Sequence, residues 1–174
     1  FKDTALLKKQ IHLYLKPFGI GKKLVDEAVE RGIAAQREVL RELQERAVER
    51  MEKAREENRF VVVVSGRPYH GDPLINHGLP ELLAGFGVDV IPETAVPLAA
   101  DHSLKESRIL TQWAYTNRIL AVAKVVAHTP HLEMLQLTSF GCGLDAICAD
   151  EVREILRSTG KMHSLIKMDE ITNL

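Results

Sequence analysis

Cysteine is scarce. The 174 residues contain two, Cys142 and Cys148, and neither belongs to a C-x-x-C pair. That excludes a disulfide framework, and no closed four-ligand zinc site can be assembled from local spacing. Long apolar runs are missing too. Plain apolar stretches reach five residues, as at Phe60-Val61-Val62-Val63-Val64, against about 20 for a bilayer helix. The residues after Phe1 lead into an amphipathic segment, not the apolar region of a signal peptide. No charge of one sign dominates: 23 Lys+Arg against 24 Asp+Glu leave a formal net charge of −1. With a pI near 6.7, this speaks against a general nucleic-acid binder. Neither G-x-x-x-x-G-K-[ST] nor G-x-G-x-x-G is present, so nucleotide phosphate binding has no direct support, and there is no G-x-S-x-G elbow. The expectation is a cytoplasmic protein with no membrane and no nucleic-acid partner. A chain that opens on Phe1 reads as a fragment or a processed product.

What is there divides at about residue 58. Residues 1–58 read as a helical N-terminal region. A short amphipathic piece covers Thr4 to Leu15, and Lys16-Pro17-Phe18-Gly19-Ile20-Gly21 breaks it. From Lys22 to about Asn58 apolar residues recur at Val25, Val29, Ile33, Leu40, Leu43, Ala47, Met51 and Ala54, a helical period. Such a helix runs ~55 Å at 1.5 Å per residue. Residues 59–174 read as an α/β (Rossmann-like) lobe. Strands are expected at Phe60 to Ser65, Val88 to Ile91, Leu132 to Thr138 and Met162 to Met168. Helices are expected at Leu74 to Ala84 with Pro80 an awkward interior or boundary residue, from the capping box Ser103-Leu104-Lys105-Glu106 to about Ala127, and at Asp150 to Ser158. Alternation of this kind gives an α/β three-layer sandwich on a mainly parallel four-stranded sheet. Ligands of such sheets gather at the carboxyl ends of the strands.

Two loops fall there. Gly141-Cys142-Gly143 presents a thiol in a tight turn, where backbone amides favour the thiolate used in metal ligation and nucleophilic attack; a small buried thiol is the rival reading. Ser65-Gly66-Arg67-Pro68-Tyr69-His70 carries a guanidinium suited to carboxylate or phosphate, a phenol, and an imidazole able to move a proton. Arg67 has a second reading, pinning a loop carboxylate such as Asp72. Cys148 is expected in the core, Asp145 to cap a helix or orient a neighbour, and one of Trp113 and Tyr115 to border the site. His77, and the His128/His131 pair around Pro130, offer little for a metal.

The strings Val63-Val64-Ser65-Gly66-Arg67-Pro68-Tyr69-His70-Gly71-Asp72-Pro73-Leu74-Ile75-Asn76-His77-Gly78, Gln112-Trp113 and Leu137-Thr138-Ser139-Phe140-Gly141-Cys142-Gly143-Leu144-Asp145-Ala146 resemble the 2-hydroxyacyl-CoA dehydratase superfamily. The nearest likeness is to the dehydratase-like segment of multidomain CoA-substrate-specific activases, the activators of 2-hydroxyglutaryl-CoA dehydratase. The similarity runs from about Arg59 to Asn173 and is looser before Arg59. It implies a cysteine-donating lobe of an anaerobic iron–sulfur protein in ATP-driven single-electron chemistry on acyl-CoA. Cys142 becomes a ligand of a 4Fe-4S cluster present in the intact parent, and Arg67, Tyr69 and His70 become the neighbouring cofactor-binding wall. The implied partners are a second α/β lobe, an actin-like ATPase, and an acyl-CoA or acyl-CoA dehydratase. The fragment alone is expected to be inactive, its parent lyase- or reductase-like or an activator of such an enzyme. Two other readings stand beside this one: a non-catalytic docking or electron-relay module, and an enzyme with Cys142 as nucleophile and His70 as base.

Overall fold

The structure, a computed structural model, describes residues 3–98 and 112–168. The chain forms two compact units, Phe1–Leu43 and Gln44–Leu174. The first contains α1 (Thr4–Leu15) and the start of α2 (Lys22–Glu56), separated by a short 3-10 turn. Asp3 caps α1 by accepting the Leu6 N–H at 2.8 Å, and Lys8 pairs with Glu30 at 2.5 Å. Val25 is buried there. The seven-residue step between Ile33 and Leu40 leaves residues 34–42 exposed, and the division between units follows directly.

The second unit begins with the last turns of α2, where Ala47 and Ala54 are buried. Next come β1 (Val61–Ser65), α3 (Pro73–Asn76), α4 (Leu79–Gly85) and β2 (Asp89–Pro92). After the undescribed stretch come α5 (Ala114–His128), β3 (Leu132–Thr138), α6 (Gly143–Arg157) and β4 (Ser164–Lys167). The fold is mixed α/β on a four-stranded, all-parallel sheet of order β2-β1-β3-β4. β-Branched Val61 to Val64 suit the pleat, and Val61 and Val63 are fully buried. Pro92, which has no N–H, closes β2 at the sheet's edge, where a missing donor costs least. Arg50 and Arg59 both pair with Asp89 at the start of β2, and the Lys161 ammonium donates to the carbonyls of Thr129, at 2.8 Å, and Leu132. Among the described residues no helix is long and apolar enough to cross a membrane.

Three local expectations are corrected. The segment from Leu74 to Ala84 is two helices, because His77 (φ 55°) and Gly78 (φ 70°) turn left-handed between them. Pro80 then falls in the first turn of α4, where its missing N–H is harmless. The helix after Ser139–Gly143 starts at Gly143, seven residues before Asp150, so Cys142 is its N-cap. Trp113 is extended, and α5 starts only at Ala114. The capping box at Ser103–Glu106 lies outside the described residues.

Leu120 on α5 is fully buried, whereas Leu82 on α4 is 57% exposed. Leu120→Ala should lower the unfolding free energy by about 2–5 kcal/mol, read as a drop in denaturant midpoint. Leu82→Ala should change it by no more than about 0.5 kcal/mol.

Candidate functional site

From β1 the chain steps to β2 on one side of the sheet, then returns to β3 on the other. A crevice therefore opens between the carboxyl ends of β1 and β3, at the point where strand order reverses. The register pairs Ser65, the last residue of β1, with Gln136 of β3, so the loops that follow the two strands meet.

His70 bolts them together. The residue is 3% exposed. Nδ1 accepts the Arg67 backbone N–H at 3.0 Å, which puts the ring proton on Nε2, 3.0 Å from Ser139 Oγ in the β3 loop. Burial lowers its pKa, with Asp145 opposing and Arg67 adding to the effect. The imidazole is thus neutral, with both nitrogens engaged. Tyr69 packs edge-on against it at 4.5 Å, and Asn76 Nδ2 donates to its carbonyl at 3.1 Å. Gly66 is a spatial requirement here: a Cβ would lie 2.5 Å from His70 Nδ1 and 3.1 Å from the Leu137 carbonyl oxygen.

Arg67 crosses between the loops. Nη2 and Nε donate to the same oxygen of Asp145, Oδ1, at 2.7 and 3.2 Å, and the guanidinium carbon stands 5.7 Å from the Phe140 ring centre. These hydrogen bonds raise the Arg67 pKa, against an opposing effect of burial. Asp72, the carboxylate weighed as a partner, instead caps α3 by accepting the Leu74 N–H at 2.8 Å. Asp145 orients a neighbour, and its Oδ2 is buried without a hydrogen-bond partner.

The two thiols have opposite settings. Cys142 is exposed, at the N-cap of α6 with no side-chain capping bond. Cys148 is buried, which pushes its thiol up to about 12, Asp145 and Glu93 adding to the effect. At neutral pH Cys148 is therefore protonated and a poor metal ligand. Among the described residues no three His, Cys, Asp or Glu side chains gather as a metal site. A complete iron–sulfur ligand set does not fit this chain, which offers one accessible thiol.

Trp113 and Tyr115 are both exposed, so neither fills the core. Both line a cavity of about 330 Å³ with Arg67, Tyr69, Asp145 and Cys148. His77 is exposed at the end of α3. His128 bonds the Lys124 carbonyl at 2.9 Å, while His131 packs on Phe60, so the two do not converge on a metal.

Glu93 escaped the sequence reading. It is buried at the end of β2, where the Ser65 hydroxyl and the Gly66 N–H (3.1 Å) donate to Oε2. Burial raises its pKa, opposed by those bonds and by Arg118. Arg118 Nη2 donates to its carbonyl at 2.9 Å. Glu93, Ser65, His70 and Arg118 line a second cavity of about 380 Å³, with Arg67, Pro68 and Tyr115 common to both. The only hint in sequence was an acidic residue directly after a strand, in Ile91-Pro92-Glu93.

The fold is an open parallel α/β lobe with a crevice at its strand-order reversal. A family model described as a CoA enzyme activase uncharacterised domain matches residues 1–96. That is more than half of the 174 residues, and the chain belongs to this family. The match takes in the helical region before Arg59 as well as Arg67, Tyr69, His70 and Glu93. No curated protein and no solved structure matches the chain.

Gly66→Ala should destabilise the fold by about 1–3 kcal/mol through overpacking against His70, measured by denaturant unfolding. For Glu93 the raised folded pKa means the native state holds a proton that the unfolded state releases first. Its stabilising effect is full below the ordinary glutamate range and is lost as pH rises through the folded pKa. The stability of the wild type relative to Glu93→Gln should therefore fall as pH rises above the ordinary glutamate range. A flat difference would show that Glu93 titrates normally.

Proposed function

We propose that this chain is the cysteine-donating α/β lobe of an activator-type protein related to the 2-hydroxyacyl-CoA dehydratases. Cys142 gives one ligand to an iron–sulfur cluster, and a second α/β lobe facing this one supplies the others. One observation carries the reading: the accessible thiol stands at the start of α6, on the edge where the β1 and β3 loops meet. Membership of the activase family gives the context. When bound, such a cluster supplies one-electron transfer. This chain holds one iron position, and the Arg67–Tyr69–His70 loop walls the adjacent space. An actin-like ATPase is the electron source, an acyl-CoA or its dehydratase the acceptor, and the setting is cytoplasmic.

A docking module is the second reading, favoured by the exposed Phe140, Trp113, Tyr115 and Ile147 around the same edge. A Cys142 nucleophile served by His70 has less support, since both ring nitrogens are engaged.

The test uses the full-length protein that contains this chain, reconstituted anaerobically with iron and sulfide. Cys142→Ala should lower bound iron and weaken the cluster absorbance, while Cys148→Ala leaves both intact. Equal iron and identical spectra in wild type and Cys142→Ala would sink the cluster role. If Cys142→Ala also still captures the ATPase, the docking reading takes its place.

A further inference from the structure

The second cavity, lined by Glu93 and Arg118, holds two polar groups that the protein leaves idle. Arg118 Nη2 donates to the Glu93 carbonyl at 2.9 Å, which pins the guanidinium against the cavity wall. Its Nε is buried and out of reach of any ligand. Nη1 is different: it has no hydrogen-bond partner among the described residues, and it keeps surface open to water. No carboxylate among the described residues forms an ion pair with Arg118.

Glu93 supplies the second group. Oε2 accepts from the Ser65 hydroxyl and, at 3.1 Å, from the Gly66 N–H. Oε1 has no partner among the described residues and it too stays open to water. Burial raises the pKa of this carboxyl. With Oε2 occupied twice as an acceptor, the proton is left to Oε1. One cavity thus offers a cationic N–H and an acid O–H. Its walls are apolar along the sheet: Val64 pairs with Pro92 across β1 and β2, Val90 lies two residues earlier on the same face, and all three line the cavity. A volume of about 380 Å³ is that of a small-molecule site.

A carboxylate matches these donors, one oxygen for each. A phosphate would bring further oxygens, and a peptide further amides, that valine and proline walls leave unpaired. A cation would be repelled by Arg118. We infer that this cavity binds a small free carboxylic acid with an apolar tail: the carboxylate lies between Arg118 Nη1 and Glu93 Oε1, and the tail lies along Val64, Val90 and Pro92. The ligand is the free acid, not a thioester, and the inference does not depend on Cys142 holding a cluster.

The full chain is titrated calorimetrically with hexanoate, and with hexanamide and methyl hexanoate as uncharged controls. Saturable binding is expected for hexanoate, with both controls weaker by about tenfold or more, the factor for a lost charge-assisted hydrogen bond. Arg118→Met should bring hexanoate down to the level of hexanamide, and the control ligands keep the test valid should that variant misfold. Hexanoate affinity should also fall as pH rises through the folded pKa of Glu93, because the ionised carboxylate repels the ligand. The other charged or titratable groups around Glu93 are Arg118 on α5, Arg67 and His70 after β1, and Cys148 on α6. Glu93→Gln keeps a donor and should remove that pH dependence. No saturation, equal binding of the three ligands, full hexanoate affinity in Arg118→Met, or a flat wild-type pH profile would overturn the inference.

Discussion

The parallel pairing of β1 with β3 is the constraint from which the site follows. Their register, Val61 with Leu132 through Ser65 with Gln136, ends β1 two residues short of the end of β3 at Thr138, on the same side of the sheet. The two loops then have no choice but to meet. A slip along this pair would separate Arg67 from Asp145 and His70 from Ser139 together. The neutral imidazole suits a bolt in this place. An imidazolium there would be disfavoured by burial first, with Asp145 opposing and Arg67 adding to the effect, whereas the neutral ring accepts on one side and donates on the other.

Around that bolt the chemistry sorts into pairs with contrasting surroundings. Two carboxyl groups approach the crevice: Asp145 faces a guanidinium and keeps one oxygen unpartnered, while Glu93 is desolvated and held by Ser65 and Gly66. Two thiols lie on one helix, six residues apart. Cys142 stands at the exposed N-cap; Cys148 is buried six residues on, about one and two-thirds turns, its protonation fixed by burial. Such splitting of like groups is how a site assigns different roles to them. Two cavities that share Arg67, Pro68 and Tyr115 make those three residues the partition through which one could influence the other.

Much of the fold was legible because its signals are periodic. The spacing from Val25 to Ala54 marks α2, and four consecutive valines mark β1; neither depends on distant parts of the chain. The break between α3 and α4 was not legible, since it rests on His77 adopting φ 55°, a conformation that non-glycine residues seldom take and that composition does not announce. The crevice was legible from topology, through two unusual loops at strand ends. Its wiring was not. Arg67 had Asp72 five residues away, yet the fold gives it Asp145, 78 residues on, because Asp72 is consumed by the start of α3. Glu93 was equally hidden: its role comes from Ser65 and Gly66 on the neighbouring strand, a pairing that only the sheet order creates.

The start of α6 ties the exposed thiol to the Arg67 ion pair. Cys142 is the extended N-cap, and Asp145 follows three residues on, in the first turn. Asp145 turns to Arg67, while Cys142 stays exposed. The first turn of a helix stabilises negative charge, and here Asp145 already draws on it from within. A further anionic group at the mouth must share that field, and Arg67 lessens the conflict by neutralising Asp145. The guanidinium therefore serves both sides of the partition: it fixes the carboxylate that faces inward and leaves the start of α6 able to receive charge from outside. Loss of Arg67 would expose the remaining groups to mutual repulsion, which makes this side chain the electrostatic centre of the crevice.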